Sequence, residues 1–228
     1  MRLEDIKKDI PADLFSVIRK EGIEELRPAQ EKAINAGLLD FKSVLVCTPT
    51  ASGKTLIAEL AGVKSIMTGR GKVVYIVPLI ALANEKFKEF QRKYQGLFKV
   101  VQTSSDVDSA DAFLSDYDFI VCTAEKFDSL IRHHTPWLKV VKTVIVDEIH
   151  LLNDVERGPT LEILITILKK LLPDLQIVGL SATIGNPEEL AEWLGAALVQ
   201  DDWRPVKLHK GVLVEGKIEF EDQTANNA

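Results

Sequence analysis

Val44-Leu45-Val46-Cys47-Thr48-Pro49-Thr50-Ala51-Ser52-Gly53-Lys54-Thr55 is the stretch that decides the fold. Its first four residues are apolar in a row, as in a strand covered on both faces. A helical pattern runs over 54–68, directly after the glycine. Between strand and helix lies the second half of the phosphate-loop pattern GxxxxGK(S/T), with Thr48 where the first glycine is asked for. Such a loop and the free helix start after it turn backbone N–H groups toward phosphate oxygens. Thr48, Pro49, Thr50, Ala51, Ser52 and Gly53 then form the cradle. Lys54 brings a mobile positive charge for the β- and γ-phosphates, and Thr55 offers a hydroxyl to Mg²⁺. ATP with Mg²⁺ is the ligand this pattern implies.

A second run, Val144-Ile145-Val146-Asp147-Glu148-Ile149-His150, puts two acids at the end of another apolar strand. Ligands of open α/β sheets bind at that end. A carboxylate there can hold Mg²⁺, and its neighbour can orient or deprotonate a water. Asp147 and Glu148 could instead be helix-capping acids. The phosphate loop earlier in the chain favours the catalytic assignment, with Asp147, Glu148 and Lys54 as the reacting set.

Outward from these two runs the pattern repeats. Apolar strands are expected at 43–47, 73–77, 98–102, 117–122, 143–147 and 175–180, nearly continuous rather than alternating. Helical patterns fill 54–68, 79–94, 124–133, 158–171 and 187–194, the last opened by Asn186-Pro187-Glu188-Glu189. Alternation of this kind means one α/β domain with a mostly parallel, doubly wound sheet flanked by helices. Residues 1–40 read as two short helices split at Glu21-Gly22 and packed outside the sheet. Residues 41–210 form the domain proper. Residues 211–228 read as a terminal hairpin turning at Glu215-Gly216, followed by a polar, frayed end at 221–228.

The chain has 228 residues and 46% hydrophobic content, enough for a full core. It shows no apolar stretch of membrane-span length and no signal-peptide segment at its start, so a cytoplasmic, membrane-free protein is expected. Cys47 and Cys122 each end an apolar run and read as small core residues, not as a disulfide or a zinc site. A net charge of −6 argues against a broad basic face for nucleic acid. Loop N–H groups and helix starts can still hold backbone phosphates. His133 and His134 are sequence neighbours that do not share a helix face, so they are surface residues rather than a metal pair.

Taken in order, Leu26-Arg27-Pro28-Ala29-Gln30, the loop at 48–55, 78–83, 123–126, 147–150 and 181–183 resemble the motifs of superfamily 2 helicases. Arg157-Gly158-Pro159-Thr160-Leu161-Glu162 and the run at 203–208 narrow the resemblance to the archaeal Holliday-junction-migration (Hjm) type of DNA repair helicase. The likeness covers about residues 5–220. It implies a RecA-like P-loop domain, the first of two that clamp ATP, in an ATP-dependent enzyme moving 3′ to 5′ on single-stranded DNA and opening duplex or branched DNA. It implies a second RecA-like domain beyond 211–228 that supplies arginines to the site, so this chain alone should bind nucleotide and hydrolyse it poorly. It assigns adenine recognition to Gln30 and coupling to His150, Ser181 and Thr183. Pro78, Leu79, Ala81, Thr123, Ala124, Glu125 and Arg157 are implied contacts to a DNA strand. Trp203-Arg204 is expected to pack against the second domain. Two alternatives stay open: an RNA helicase of the same superfamily, and a non-catalytic partner-binding module. Oligomeric state is open too, with a monomer the default.

Overall fold

The computed structural model describes residues 1–104, 112–133, 135–207, 209–214 and 217–220. After a single turn at Leu3–Ile6, helices α1 (Ala12–Lys20) and α2 (Pro28–Asn35) lead into strand β1 (Val44–Cys47). Then follow α3 (Lys54–Met67), β2 (Lys72–Ile76), α4 (Ile80–Lys93), β3 (Val100–Gln102), β4 (Phe119–Cys122) and α5 (Ala124–Arg132). The chain continues through β5 (Val141–Val146), α6 (Gly158–Leu171), β6 (Gln176–Ser181), α7 (Pro187–Leu194) and β7 (Ala197–Gln200). A separate antiparallel pair, β8 (Gly211–Val214) and β9 (Lys217–Phe220), ends the described chain.

The seven strands β1–β7 form one sheet in the order β3-β4-β2-β5-β6-β1-β7, and every pairing in it is parallel. The near-continuous apolar runs follow from this, because both faces are covered. On one face Val44, Val46, Tyr75, Val121 and Leu180 pack under α1–α4. On the other, Leu45, Val74, Ile120, Val144 and Ile177 pack under α5–α7. Each fully buried side chain of this size stabilises the fold by roughly 1.5–3 kcal/mol relative to exposure.

Helix α3 lies directly on the sheet. Gly62 sets the approach, since a Cβ there would stand 3.2 Å from side-chain atoms of Ile145, Phe119 and Val73. Because α3 follows directly on the loop after β1, its N-terminus lies at the carboxyl edge of the strands. The two expected N-terminal helices are present, and α1 stops where the split was expected, at a turn over Glu21-Gly22 in which Gly22 takes a φ of 80°. Beyond that turn the backbone runs on to α2, with the Leu26 N–H bonded to the Met1 carbonyl and the Leu3 N–H to the Glu24 carbonyl. Strand β7 was not expected from the sequence. The turn residues of the hairpin, the frayed end at 221–228 and His134 lie outside the described residues.

Candidate nucleotide and metal site

The loop after β1 is built so that its donors face outward. Thr48 N–H bonds the Ser181 carbonyl at 3.2 Å, which carries the strand pairing one residue past β1. The Thr48 and Ser52 hydroxyls lie 2.7 Å apart and close the loop from inside. A threonine at the usual glycine position thus bonds across the base of the loop. Pro49 is buried, and Thr50 and Ala51 form the exposed tip. Ala51 and Gly53 both take left-handed backbone, with φ of 65° and 94°. Among the described residues, the N–H groups of Ala51, Gly53, Lys54 and Thr55 have no hydrogen-bond acceptor. Four orphan donors at one helix start suit an anion with several oxygens. Lys54 Nζ donates to the carbonyls of Thr48 at 3.0 Å and Pro49 at 3.4 Å, holding a positive charge against the same loop.

Across the sheet edge, Asp147 follows β5, and its N–H extends the ladder to the Ile76 carbonyl at 2.9 Å. Its carboxylate is fixed on both oxygens. Oδ2 accepts from the Tyr75 hydroxyl at 3.0 Å, and Oδ1 accepts from the Glu148 N–H at 3.1 Å. Burial pushes the Tyr75 phenol well above its ordinary range, and Asp147 pushes it further, so Tyr75 stays a donor. Glu148 has φ of 51°, a left-handed conformation that costs a non-glycine residue roughly 1–2 kcal/mol. His150 Nδ1 lies 3.3 Å from Glu148 Oε2, an ion pair once the imidazole is protonated.

Hydroxyl and carboxylate oxygens are the hard donors Mg²⁺ takes, together with phosphate and water. Thr55 and Asp147 supply one of each, so the residues present fit a magnesium-bound nucleotide.

Gln30 is buried, and both ends of its amide are engaged within the protein. Oε1 accepts from the Arg27 N–H at 2.8 Å, and Nε2 donates to the Gly53 carbonyl at 3.0 Å. Both of its polar atoms are therefore engaged without an adenine. Beside it opens a cleft of about 590 Å³ whose walls include Ile23, Arg27, Gly53, Thr55 and Glu59. Arg27 joins three parts of the chain. Its Nη1 donates to the Ala51 carbonyl at 2.6 Å, and its guanidinium sits 5.3 Å from the centre of the Trp203 ring. Trp203 therefore packs on this domain's own nucleotide side.

The remaining predicted residues gather at neighbouring strand ends. Pro78, Leu79 and Ala81 follow β2, and Leu79 and Ala81 are exposed. Thr123 caps α5, its hydroxyl accepting from the Lys126 N–H at 3.4 Å, with Ala124 and Glu125 opening the helix. Arg157 Nη1 donates to the Pro78 carbonyl at 3.4 Å. A small cleft between these groups is also lined by Asp147 and Glu148. Ser181 ends β6, fully buried opposite Cys47, with its hydroxyl turned to the Cys47 thiol rather than to the acidic segment. Thr183 is exposed. Among the described residues, His150 thus meets Glu148, and no bond joins Ser181 or Thr183 to the acidic segment. Sequence reading did not assign roles to Arg27, Tyr75 or Lys86. Arg27 stood inside the quoted 26–30 run, and the other two carried no signal in the pattern.

A parallel sheet with a phosphate loop after one strand and an acidic pair after another defines an ATP-binding α/β domain of the RecA-like class. Residues 27–190 match the DEAD/DEAH box helicase family, and the chain belongs to that family. It is 51% identical over 222 residues to the ATP-dependent DNA helicase Hel308 of Pyrococcus horikoshii, covering 97% of this chain and 30% of the relative. The Methanocaldococcus jannaschii Hel308 is 52% identical over 215 residues, covering 91% of this chain and 18% of that protein. Among solved structures, the DUF1998 helicase MrfA bound to DNA superposes with a TM-score of 0.74 at 28% identity, over 85% of this chain and 30% of that one. MrfA bound to DNA and AMPPNP gives a TM-score of 0.72 at 27% identity, over 85% of this chain and 29% of that one. The chain thus spans less than a third of each of these relatives. Among the described residues no helix is long and apolar enough to cross a membrane.

Proposed function

We propose that this chain is the first ATP-binding motor domain of an ATP-dependent DNA helicase. The intact protein would track along single-stranded DNA, 3′ to 5′, and open duplex or branched DNA in repair and recombination. The observation that carries the nucleotide reading is the set of orphan N–H groups at 51–55 with Lys54 held against the same loop. The names of the relatives, DNA helicases throughout those cited, favour DNA over RNA.

In this reading Thr55 and Asp147 would hold Mg²⁺, which would supply charge neutralisation on the phosphate oxygens. The loop N–H groups and Lys54 bind and orient the triphosphate. Tyr75 keeps Asp147 in place, and its raised phenol keeps the proton on the donor side. Glu148 accepts a proton from the attacking water, and His150 beside it responds to that charge. Pro78, Leu79, Ala81, Thr123, Ala124, Glu125 and Arg157 line the same sheet edge and hold backbone phosphates of one DNA strand. Ser181 and Thr183 couple nucleotide state to closure against a second RecA-like domain beyond residue 210. Arginines from that domain complete the site, a contribution of roughly 10³–10⁵ in rate.

Titrating the chain with a fluorescent ADP analogue and Mg²⁺, beside Lys54→Ala, tests the proposal. Saturable binding that the variant loses supports it. A folded wild type with no binding counts against it.

A further inference from the structure

Helix α4 brings a second lysine to the phosphate loop, and the loop pattern does not account for it. Lys86 stands about two turns into α4. Its Nζ lies 3.3 Å from Thr55 Oγ1 and 3.0 Å from Glu89 Oε2. The side chain is only 14% exposed, so the ammonium is held in the wall of the site. Glu89 is anchored in turn, its other oxygen 3.5 Å from Lys93 Nζ, which also pairs with buried Glu59 at 3.2 Å. Tyr94 donates to Glu59 as well. A chain of alternating charges therefore fixes Lys86 from behind.

An ammonium carries three donors and no acceptor, so its contact with Thr55 uses a lone pair on the hydroxyl oxygen. A hard divalent cation takes the same kind of lone pair, at about 2.0–2.1 Å for Mg²⁺. Two cations sharing one hydroxyl oxygen repel, and partial burial weakens the screening between them. Lys54 does not duplicate this role, because its ammonium is bound to the Thr48 and Pro49 carbonyls. We infer that Lys86 is an internal cation at the metal position of the loop. It holds Thr55 and balances the nucleotide phosphates when no metal is bound, and it gives way when Mg²⁺ arrives. The inference rests on the nucleotide-binding reading above and goes further: Lys86 sets how strongly nucleotide binding depends on the metal. It is a positioning residue, and Glu89 tunes it.

The test is binding of a fluorescent ADP analogue in excess EDTA and in saturating Mg²⁺, read as the ratio of the two Kd values. Lys86→Met keeps length and removes charge. It should raise the EDTA-to-Mg²⁺ ratio by about tenfold or more, the loss of one charge-assisted contact. The Mg²⁺ concentration at half effect should fall. Glu89→Gln should lower the ratio, because the ammonium is no longer held back. If Lys86→Met changes both Kd values equally, or neither, the residue is merely structural and the inference is overturned. If Lys86→Met does not fold by circular dichroism, Glu89→Gln decides, and an unchanged ratio overturns it. Binding by the wild type that depends on Lys54 but not on Lys86 sinks this inference alone. No binding in either buffer, with Lys54→Ala indistinguishable, sinks the nucleotide reading and this inference with it.

Discussion

Gly53 has two jobs in the loop, and each can be weighed. Its φ of 94° is left-handed backbone, where a Cβ costs roughly 1–2 kcal/mol. A Cβ would also stand 2.5 Å from Gln30 Nε2 and 3.1 Å from Arg27 Cδ. Both neighbours are flexible side chains, so they would move, and the Gln30 bond to the Gly53 carbonyl would go with them. That bond contributes about 1 kcal/mol. Gly53→Ala is expected to lower unfolding stability by about 2 kcal/mol in a urea titration and to weaken ADP binding. A stability change with unaltered binding would mean that Gln30 and Arg27 do not shape the loop. This glycine, Lys54 and Thr55 were legible in the sequence because the loop is contiguous. Arg27, Tyr75 and Lys86 were not, because their partners Ala51, Asp147 and Thr55 lie 24, 72 and 31 residues away. Only the parallel stacking of β1, β2 and β5 with α2 and α4 brings those groups to one edge.

Helix α6 begins under constraint. A Cβ on Gly158 would stand 2.2 Å from the Leu152 carbonyl oxygen, a backbone atom that cannot rotate away. The turn at Ile149–Asn153, which carries His150, is thereby locked to the start of α6. Gly158→Ala should cost about 1–3 kcal/mol in urea unfolding, as overpacking does. It should also loosen Arg157 from Pro78. A neutral result would mean that the turn and α6 are not rigidly joined. At the other edge, β7 escaped sequence reading for a physical reason: in four residues only Val199 is buried, so no apolar run marks it. The inner strands, buried fully or over all but one residue, were found to within about two residues. Asp201 ties the chain after β7 to α2. Partial burial pushes its carboxyl up, but the Lys32 ammonium at 2.8 Å and the Trp203 N–H at 2.7 Å hold it net below the ordinary range. A lowered folded value means the tie stabilises above the ordinary aspartate value of about 3.9 and is lost as pH falls through the folded one. Acid titration should therefore shift Trp203 fluorescence, isolated by difference against Trp203→Phe, below about pH 4. Asp201→Asn should show the shifted signal at pH 7 and no acid transition, at a stability cost of about 0.5–1 kcal/mol. An acid transition unchanged in Asp201→Asn would place it elsewhere.

At the scale of the molecule, the phosphate loop, the acidic pair and the loops after β2, β4 and β6 all gather at the carboxyl edge of one sheet. The net charge of −6 leaves little long-range attraction for a nucleic acid. In the proposed function, affinity for a nucleic acid would come from short-range N–H and side-chain contacts at strand ends, which a motor can make and break in each cycle. Such contacts read phosphates and sugars rather than bases, so sequence preference is not expected, whereas a 2′-hydroxyl can be sensed. Two outcomes follow together from the proposal. Residues 1–228 alone should bind nucleotide yet hydrolyse ATP at least about 10³-fold more slowly than the full-length protein, with no stimulation by single strands. The full-length ATPase should rise with single-stranded DNA and much less with RNA of the same sequence. Equal stimulation by the two would favour the RNA reading, and brisk DNA-stimulated turnover by 1–228 alone would show the catalytic set to be complete without a second domain.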